Sequence, residues 1–559
     1  MRRVGQALAA LCIVITGGAC TSGASLVGPM RFANEPIVWQ VNDRKSVAKP
    51  KSRTFIKELY FFDASFFRRM TLALEVRRPT RARDVNALGE VPDSTWFVNR
   101  IGKRALTVAA VSRGPNEYAG PDLSQPWRVT GLKTGGTSVG LVIKDARGIK
   151  YLIKFDPPTV PVVETAAHVV IQRLLWAAGY NVPHDSIVYV DRKQFGLDPG
   201  AKTKDAGGRK RPLSKRDIDD AMGKVHKRKD GRIRVLASRF LSGVPLGGFV
   251  PEGTRSDDAN DSIAHEQRRS LRGMYLLYAW LDQIDIKKDN TLDMWVTDPA
   301  DPKVHYVMHY LVDFGKGLGG MNLMLPRPDS GFTYNFDIES LVRYLPLLGM
   351  SKRPWEGARY SGIPGVGRVN GEQFQPNKWR GVAMYLPFLD RDPYDMLWAT
   401  KIIMSFSTAH IRAAVQQGKF EDPRAVPYLT KTLVERQRKI GRYFLSRMNT
   451  ADGFEARAQT VCFRDLLVAH GVATAAEAAS TSYLASTHDY SGRALGWQRT
   501  LKADKLGNLC AGPLTLGTSK NAYTILKLVA RRGRARFAPV EVHLANRDGK
   551  LRVLGVNRR

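Results

Sequence analysis

At 559 residues, 43% of them hydrophobic, the chain has length for several domains and apolar residues for real cores, which excludes a disordered or low-complexity protein. Its 86 Lys plus Arg against 52 Asp plus Glu give a formal charge of +34, a broad positive field that favours anionic partners. Once Cys12 and Cys20 are assigned to the N-terminal segment, the two remaining, widely separated thiols do not make a zinc ligand set.

Arg2 and Arg3 precede an apolar run, VGQALAALCIVITGGAC, that is too short for a membrane span and ends in small residues, the pattern of an export signal. Gly17, Gly18 and Ala19 stand directly before Cys20, and the segment resembles a bacterial lipoprotein signal, although Gly17 occupies the place where Leu is usual. That resemblance implies a lipid on Cys20 and an exported chain tethered to the cell envelope, facing periplasm or exterior. Cleavage nearby as an ordinary secretory signal is the alternative reading. No other stretch has the length and lack of charge of a transmembrane helix. With Cys12 lost in the signal and Cys20 lipidated, Cys462 and Cys510 remain as the candidate disulfide of an oxidising compartment.

Residues 21–125 are rich in aromatics and Arg and lack a clean period, which predicts an irregular leader packed on the domains C-terminal to it. From Trp127 the pattern sharpens into three strands, WRVTGLK, LVIKD and IKYLIKF, the first two joined by TGGTSVG. A helix is expected over residues 164–178, stopped by Gly179, and then two more strands, SIVYV and RVLASRFL. The basic stretch between those strands, residues 192–231, reads as an exposed insertion. Residues 265–281 carry helical periodicity, followed by a polar loop and the strands TLDMWV and HYVMHYLVDF. Helices are expected to about 450, and then a strand-rich segment that ends in a hairpin around Asp548 and Gly549.

Phosphoryl transfer asks that phosphates be cradled, metal ions held and a hydroxyl aimed in line. In TGGTSVG, Gly135, Gly136 and Gly140 let backbone N–H groups approach phosphate oxygens without Cβ obstruction, although a plain hairpin turn has the same letters. Lys154 sits between apolar neighbours on the third strand, so its ammonium wants a partner. Glu164 on the next helix can supply one, and His168, one turn further on the same face, is the neutral alternative. In WLDQIDIKKDNTLDMWV, Asp285 and Asn290 have the D-x-x-x-x-N spacing of a base and a metal-binding amide. Lys287 stands between them, and Asp313-Phe314-Gly315 ends the next strand but one.

These parts occur in the order, and on the elements, of the protein-kinase-like superfamily, which residues 127–315 resemble. EVPDSTWFVNRIG, YLIKFDPP and VDFGKGLGG also resemble an uncharacterised group of bacterial envelope lipoproteins. The superfamily resemblance implies ATP and Mg (or Mn) in a cleft, with phosphate contacts at Gly135, Gly136, Gly140 and Lys154. It further implies a base at Asp285, a phosphoryl-steadying Lys287, and metal ligands at Asn290 and Asp313. Gln283 and Ile284 replace the His-Arg that normally precedes the base, and no Ala-Pro-Glu comes after the Asp-Phe-Gly, so the pattern is that of an atypical kinase. The fold class expected is α+β. An antiparallel-sheet N-lobe (126–250) and a mainly helical C-lobe (251–450) make a two-lobed protein-kinase-like fold, followed by a small strand-rich C-terminal domain (451–559).

A second cluster, DDANDSIAHEQRR, offers Asp257, Asp258, Asp261, His265 and Glu266 to a metal, but its spacing fits a helix start better. No His-Glu-x-x-His is present, which removes the common zinc-hydrolase reading. The function expected is a lipid-anchored phosphotransferase acting on an anionic small molecule or envelope polymer. The alternative is a kinase-fold scaffold that binds an anionic ligand without turnover. A nucleic-acid partner is not expected, because no recognition signature accompanies the charge.

Overall fold

The structure is a computed structural model that describes residues 29–559 except 33–35, 54–58, 60–61, 76–79, 134–138, 205–208, 321–329, nine scattered positions between 336 and 354, and 548. Cys20, Gly135, Gly136 and Asp548 therefore lie outside the described residues. The whole is α+β, with the two lobes that the kinase resemblance implies.

The N-lobe sheet contains β1 (Trp127–Leu132), β2 (Gly140–Lys144), β3 (Lys150–Lys154), β4 (Asp185–Val190), β5 (Phe195–Leu197) and β8 (Ile233–Arg239), in the order β4-β8-β3-β2-β1-β5. All neighbours are antiparallel except β1 and β5. Helix α1 (Val163–Ala178) is inserted between β3 and β4 and buries most of its residues, and Gly179 ends it at φ 132°. The five antiparallel strands are the ones expected from their alternating apolar pattern.

The basic insertion corrects one expectation, since it is not simply an exposed excursion. It contributes β5 to the sheet edge, a hairpin of β6 (Lys202–Lys204) and β7 (Lys210–Pro212), and helix α2 (Lys215–Met222). Leu213, Ile218, Met222 and Val225 pack into the same core as Phe155 and Phe195. Their spacing gives α2 one apolar face, which the Lys and Arg residues around it hide from a reading of composition.

The C-lobe is centred on α3 (Arg269–Leu281), every residue of which is buried. Around it pack α4 (Pro393–Met404), α5 (Thr408–Gln416) and α6 (Ala425–Leu445). Residues N-terminal to the N-lobe sheet reach this core. Trp96, Phe97 and Val111 join the main apolar cluster, and Asp84 caps α3, accepting hydrogen bonds from Ser270 N at 3.2 Å and Ser270 Oγ at 2.8 Å. Strand β9 (Val244–Gly247) pairs with β10 (Thr291–Thr297), which pairs with β11 (His305–Leu311). Among the described residues no helix is long and apolar enough to cross a membrane.

The C-terminal segment forms two sheets. One joins β12 (Ala451–Arg457), β13 (Thr460–Asp465) and β16 (Asn508–Ala511). The other orders β15 (Ala494–Leu501), β14 (Thr481–His488), β17 (Thr524–Arg532), β19 (Val540–Arg547) and β20 (Lys550–Arg558), with β18 (Ala535–Arg536) on β17. Cys462 and Cys510 are register partners across β13 and β16 and are joined as a disulfide, with Cα atoms 4.0 Å apart.

Candidate functional site

Lys154 ends β3 between Ile153 and Phe155, both buried, and its own side chain is 12% exposed. A lysine held this way needs an acceptor. It finds Asp313, to whose Oδ1 its Nζ donates at 2.8 Å. Gly140 lies opposite Lys154 in the β2–β3 register, and a Cβ there would stand 2.6 Å from the Ile153 carbonyl oxygen. The glycine is thus demanded by the close approach of two backbones, whatever else it contacts.

Helix α1 aims Glu164 and His168 at the same cleft, one turn apart. The expected pairing of either with Lys154 is corrected, because Asp313 takes the ammonium. His168 Nδ1 instead lies 3.0 Å from Asp185 Oδ2, and its Nε2 lies 3.8 Å from Asp313 Oδ1. Among the described residues the Glu164 Oε1 has no hydrogen-bond partner, and it is buried. Burial pushes the Glu164 carboxyl up to about 7, and the Asp156 and Asp313 carboxylates add to the rise against the pull of Lys154 and Lys316.

A folded-state value above the ordinary 4.5 means that Glu164 contributes stability in full below pH 4.5 and loses it as pH rises toward 7. A rise of this size corresponds to about 3 kcal/mol. Glu164→Gln is therefore expected to be more stable than wild type at pH 8, with the difference shrinking at pH 4.5. Urea unfolding at the two pH values measures it, and a difference independent of pH would contradict the placement of this carboxyl.

The D-x-x-x-x-N loop begins where α3 ends, at Asp282 in a left-handed conformation with φ 50°. Asp285 is buried, and two ammonium groups meet its Oδ2, Lys287 at 3.1 Å and Lys316 at 3.4 Å. Asn290 Nδ2 donates to the Asp285 carbonyl at 2.6 Å, which closes the loop on itself. Strand register does the rest. Thr291 pairs with Leu311 across β10 and β11, so the next residues outward are also neighbours, and Val312 N donates to the Asn290 carbonyl at 2.9 Å. The hairpin thereby sets Asp313 beside the loop that carries Asp285 and Asn290.

Asp313 itself adopts φ 62°, a left-handed conformation that costs a non-glycine residue roughly 1 kcal/mol. Its side chain is 51% exposed, facing the open cleft. Crowding by protein pushes its carboxyl up, but the Lys154 and His168 charges and the Lys154 hydrogen bond outweigh this and hold it well below the usual carboxylate range. Gln283 Nε2 donates to the Asp313 carbonyl at 3.3 Å, and Phe314 is fully buried beside the His168 ring.

Lys154, Asp285, Lys287, Asn290 and Asp313 are thus brought into one cleft, with Glu164 and His168 on its wall. Sequence reading missed Lys316 and Gln283. Both flank motif residues, and only their side-chain directions reveal the contact. The cleft sets two carboxylates among three ammonium groups, a charge pattern able to receive a metal together with a polyanion.

The second acidic cluster agrees with the helix-start reading. His265 ring nitrogens contact Val250 O at 2.6 Å and Asp261 Oδ2 at 2.8 Å, and Arg268 donates to Asp261 Oδ1 at 2.8 Å. These contacts occupy both Asp261 oxygens. Among the described residues no group of three or more His, Cys, Asp or Glu side chains is placed to hold a metal ion.

No protein-family model and no curated protein matches the sequence. Solved structures similar to parts of the chain are protein kinases. One is a Rio2 kinase complex with ADP, Mg2+ and phosphoaspartate from Chaetomium thermophilum. It is 12% identical, covering 55% of this chain and 70% of that one at a TM-score of 0.21. Another is the Golgi casein kinase with Mn and ADP bound, 11% identical, covering 57% and 74% at a TM-score of 0.20.

Proposed function

We propose that this chain is a kinase-like phosphotransferase, exported and held at the cell envelope through Cys20, that uses Mg-ATP (or the Mn form) and an anionic acceptor. The observation that carries the reading is the cleft in which Lys154, Asp285, Asn290 and Asp313 meet on three hydrogen-bonded segments. The residues fit the group. Asp313 offers a half-exposed carboxylate one residue from Val312, whose N–H donates to the Asn290 carbonyl, and the Glu164 Oε1, without a hydrogen-bond partner among the described residues, is a ready second acceptor for Lys154. Asp313 and Asn290 would hold the metal.

When bound, the nucleotide supplies a transferable phosphoryl group, whose P–O bond to the leaving diphosphate breaks as a P–O bond to the acceptor hydroxyl oxygen forms. Asp285 takes the proton of that hydroxyl. Lys287 and Lys316 steady the Asp285 carboxylate and add positive charge for phosphoryl oxygens. Lys154 neutralises Asp313 in the present state. Once that carboxylate is engaged elsewhere, the ammonium is released toward phosphate oxygens and Glu164.

The test is calorimetry of the full chain with ATP and magnesium or manganese, followed by assay of ADP or AMP release with anionic acceptors. Metal-dependent binding with release supports the transferase. Absence of binding with either metal retires it in favour of the scaffold, a reading that draws on the Lys154–Asp313 pair as a cleft closed on itself. The anchor has its own test. Cys20→Ala is expected to release the chain from membranes, and a variant still membrane-bound after a high-salt wash would refute lipidation, since salt removes electrostatic attachment.

A further inference from the structure

The C-lobe contains a cavity of 410 Å³ that none of the residues assigned to the phosphate cleft lines. Its size falls within the range of small-ligand sites, about 300–1,000 Å³. Its position ties it to the reacting centre. Trp379, Arg380 and Gly381 form one wall, and the reverse side of that wall backs onto the Asp285 loop. Val382 N donates to the Ile284 carbonyl at 2.8 Å, and a Cβ on Gly381 would stand 2.9 Å from the same oxygen. Trp379 Nε1 donates to Asp282 Oδ1 at 3.0 Å, three residues before the proposed base. On the other side Arg368 N donates to the Gly319 carbonyl at 2.9 Å, just beyond the Asp313 turn.

The lining combines three chemistries. Phe332, Tyr334, Trp355 and Tyr360 are all half-buried, so each keeps part of its ring surface at the cavity. Asn370 and Asn377 add amides, which both donate and accept hydrogen bonds. Positive charge surrounds them. Arg368, Lys378, Arg380, Arg391 and Arg436 line the cavity, against Asp282 as the one acidic residue among the described lining. Arg436 is paired with Asp282 at 3.3 Å and Arg380 with Asp337, while Arg391 lies over the Tyr275 ring at 3.8 Å and Lys378 is exposed.

Ligand classes can be separated on these terms. An acyl chain would offer no hydrogen-bond acceptor or negative charge to the amides and cations of the lining, and would cost their desolvation. A bare inorganic anion would make no use of the rings. A saccharide presents C–H faces to aromatic rings and hydroxyls to amides, and a carboxylate or phosphate on it meets the guanidinium groups.

We propose that this cavity binds an anionic saccharide, and that such a saccharide is the acceptor class for the transfer proposed above. The acceptor role rests on the phosphotransferase reading, whereas the binding itself does not.

The experiment titrates the full chain with trigalacturonate, without nucleotide, following tryptophan fluorescence and calorimetry. Maltotriose serves as the neutral control and ADP as the stacking control. Saturable binding of trigalacturonate is expected, with maltotriose at least about tenfold weaker. Trp355→Ala and Lys378→Glu, both away from the buried core, are each expected to weaken trigalacturonate by about tenfold. Circular dichroism of the two variants confirms folding. No binding up to about 5 mM, equal affinity for maltotriose, affinity unchanged in both variants, or ADP displacing the saccharide would overturn the proposal. Trigalacturonate bound by a chain that takes no metal-nucleotide would support the cavity and overturn the transferase reading alone.

Discussion

Asp285→Ala is expected to lower nucleotide turnover by about 10²–10⁴-fold while leaving nucleotide affinity nearly intact, because a base acts on the transition state and not on the bound ground state. Removing this carboxylate leaves Lys287 and Lys316 without their shared acceptor, so affinity for a polyanion is expected to hold or rise. Asp313→Ala should behave in the opposite way. It frees Lys154 for phosphate oxygens and so need not abolish nucleotide binding without metal, but the gain in affinity on adding magnesium should vanish. Calorimetry with and without magnesium, combined with product release, separates the two. A loss of magnesium-dependent affinity in Asp285→Ala, or its retention in Asp313→Ala, would assign the wrong roles to these residues.

Asp395→Ala is expected to destabilise the C-lobe by about 3–5 kcal/mol, the usual cost of removing one member of a buried ion pair. Asp395 is fully buried, accepts from Arg269 Nε at 2.9 Å and lies 3.5 Å from Arg272, itself fully buried. Without it, both guanidinium groups lose their carboxylate, and the acceptors they keep are backbone carbonyls, Gly89 O for Arg269 and Glu266 O and Thr80 O for Arg272. The substitution also removes the capping box that Asp395 forms with Asp392 at the start of α4, worth about 1 kcal/mol more. Asp395→Asn keeps the volume and the hydrogen-bonding oxygen, and is expected to recover part of the loss. Urea unfolding measures both variants, and a deficit below about 1 kcal/mol for the alanine variant would show that the arginines find other partners.

Much of this architecture is legible along the chain. The five antiparallel N-lobe strands, the helix before β4 and the β10–β11 hairpin arise from local periodicity and turn residues, signals that need no distant partner. The insertion shows the limit, since four apolar positions set among many basic ones determine burial only once a sheet edge is there to receive them. The D-x-x-x-x-N spacing and the Asp-Phe-Gly were likewise readable, and a single strand register, Thr291 with Leu311, carries them into one cleft.

Charge pairing was not readable in this way. Lys154, Glu164, His168 and Asp313 are all present in the sequence with suitable spacing, yet which acid takes the lysine depends on distances of a few ångströms between elements up to 159 residues apart. Such a choice is made by competing Coulomb and desolvation energies, both of which are set by the packed surroundings and not by the order of residues. The same holds for Lys316 and for the aromatic cavity behind the Asp285 loop, whose walls come from well-separated segments. Local sequence determined the elements and the candidate residues; tertiary packing alone decided their partners, because electrostatic energy depends on separation and burial in space.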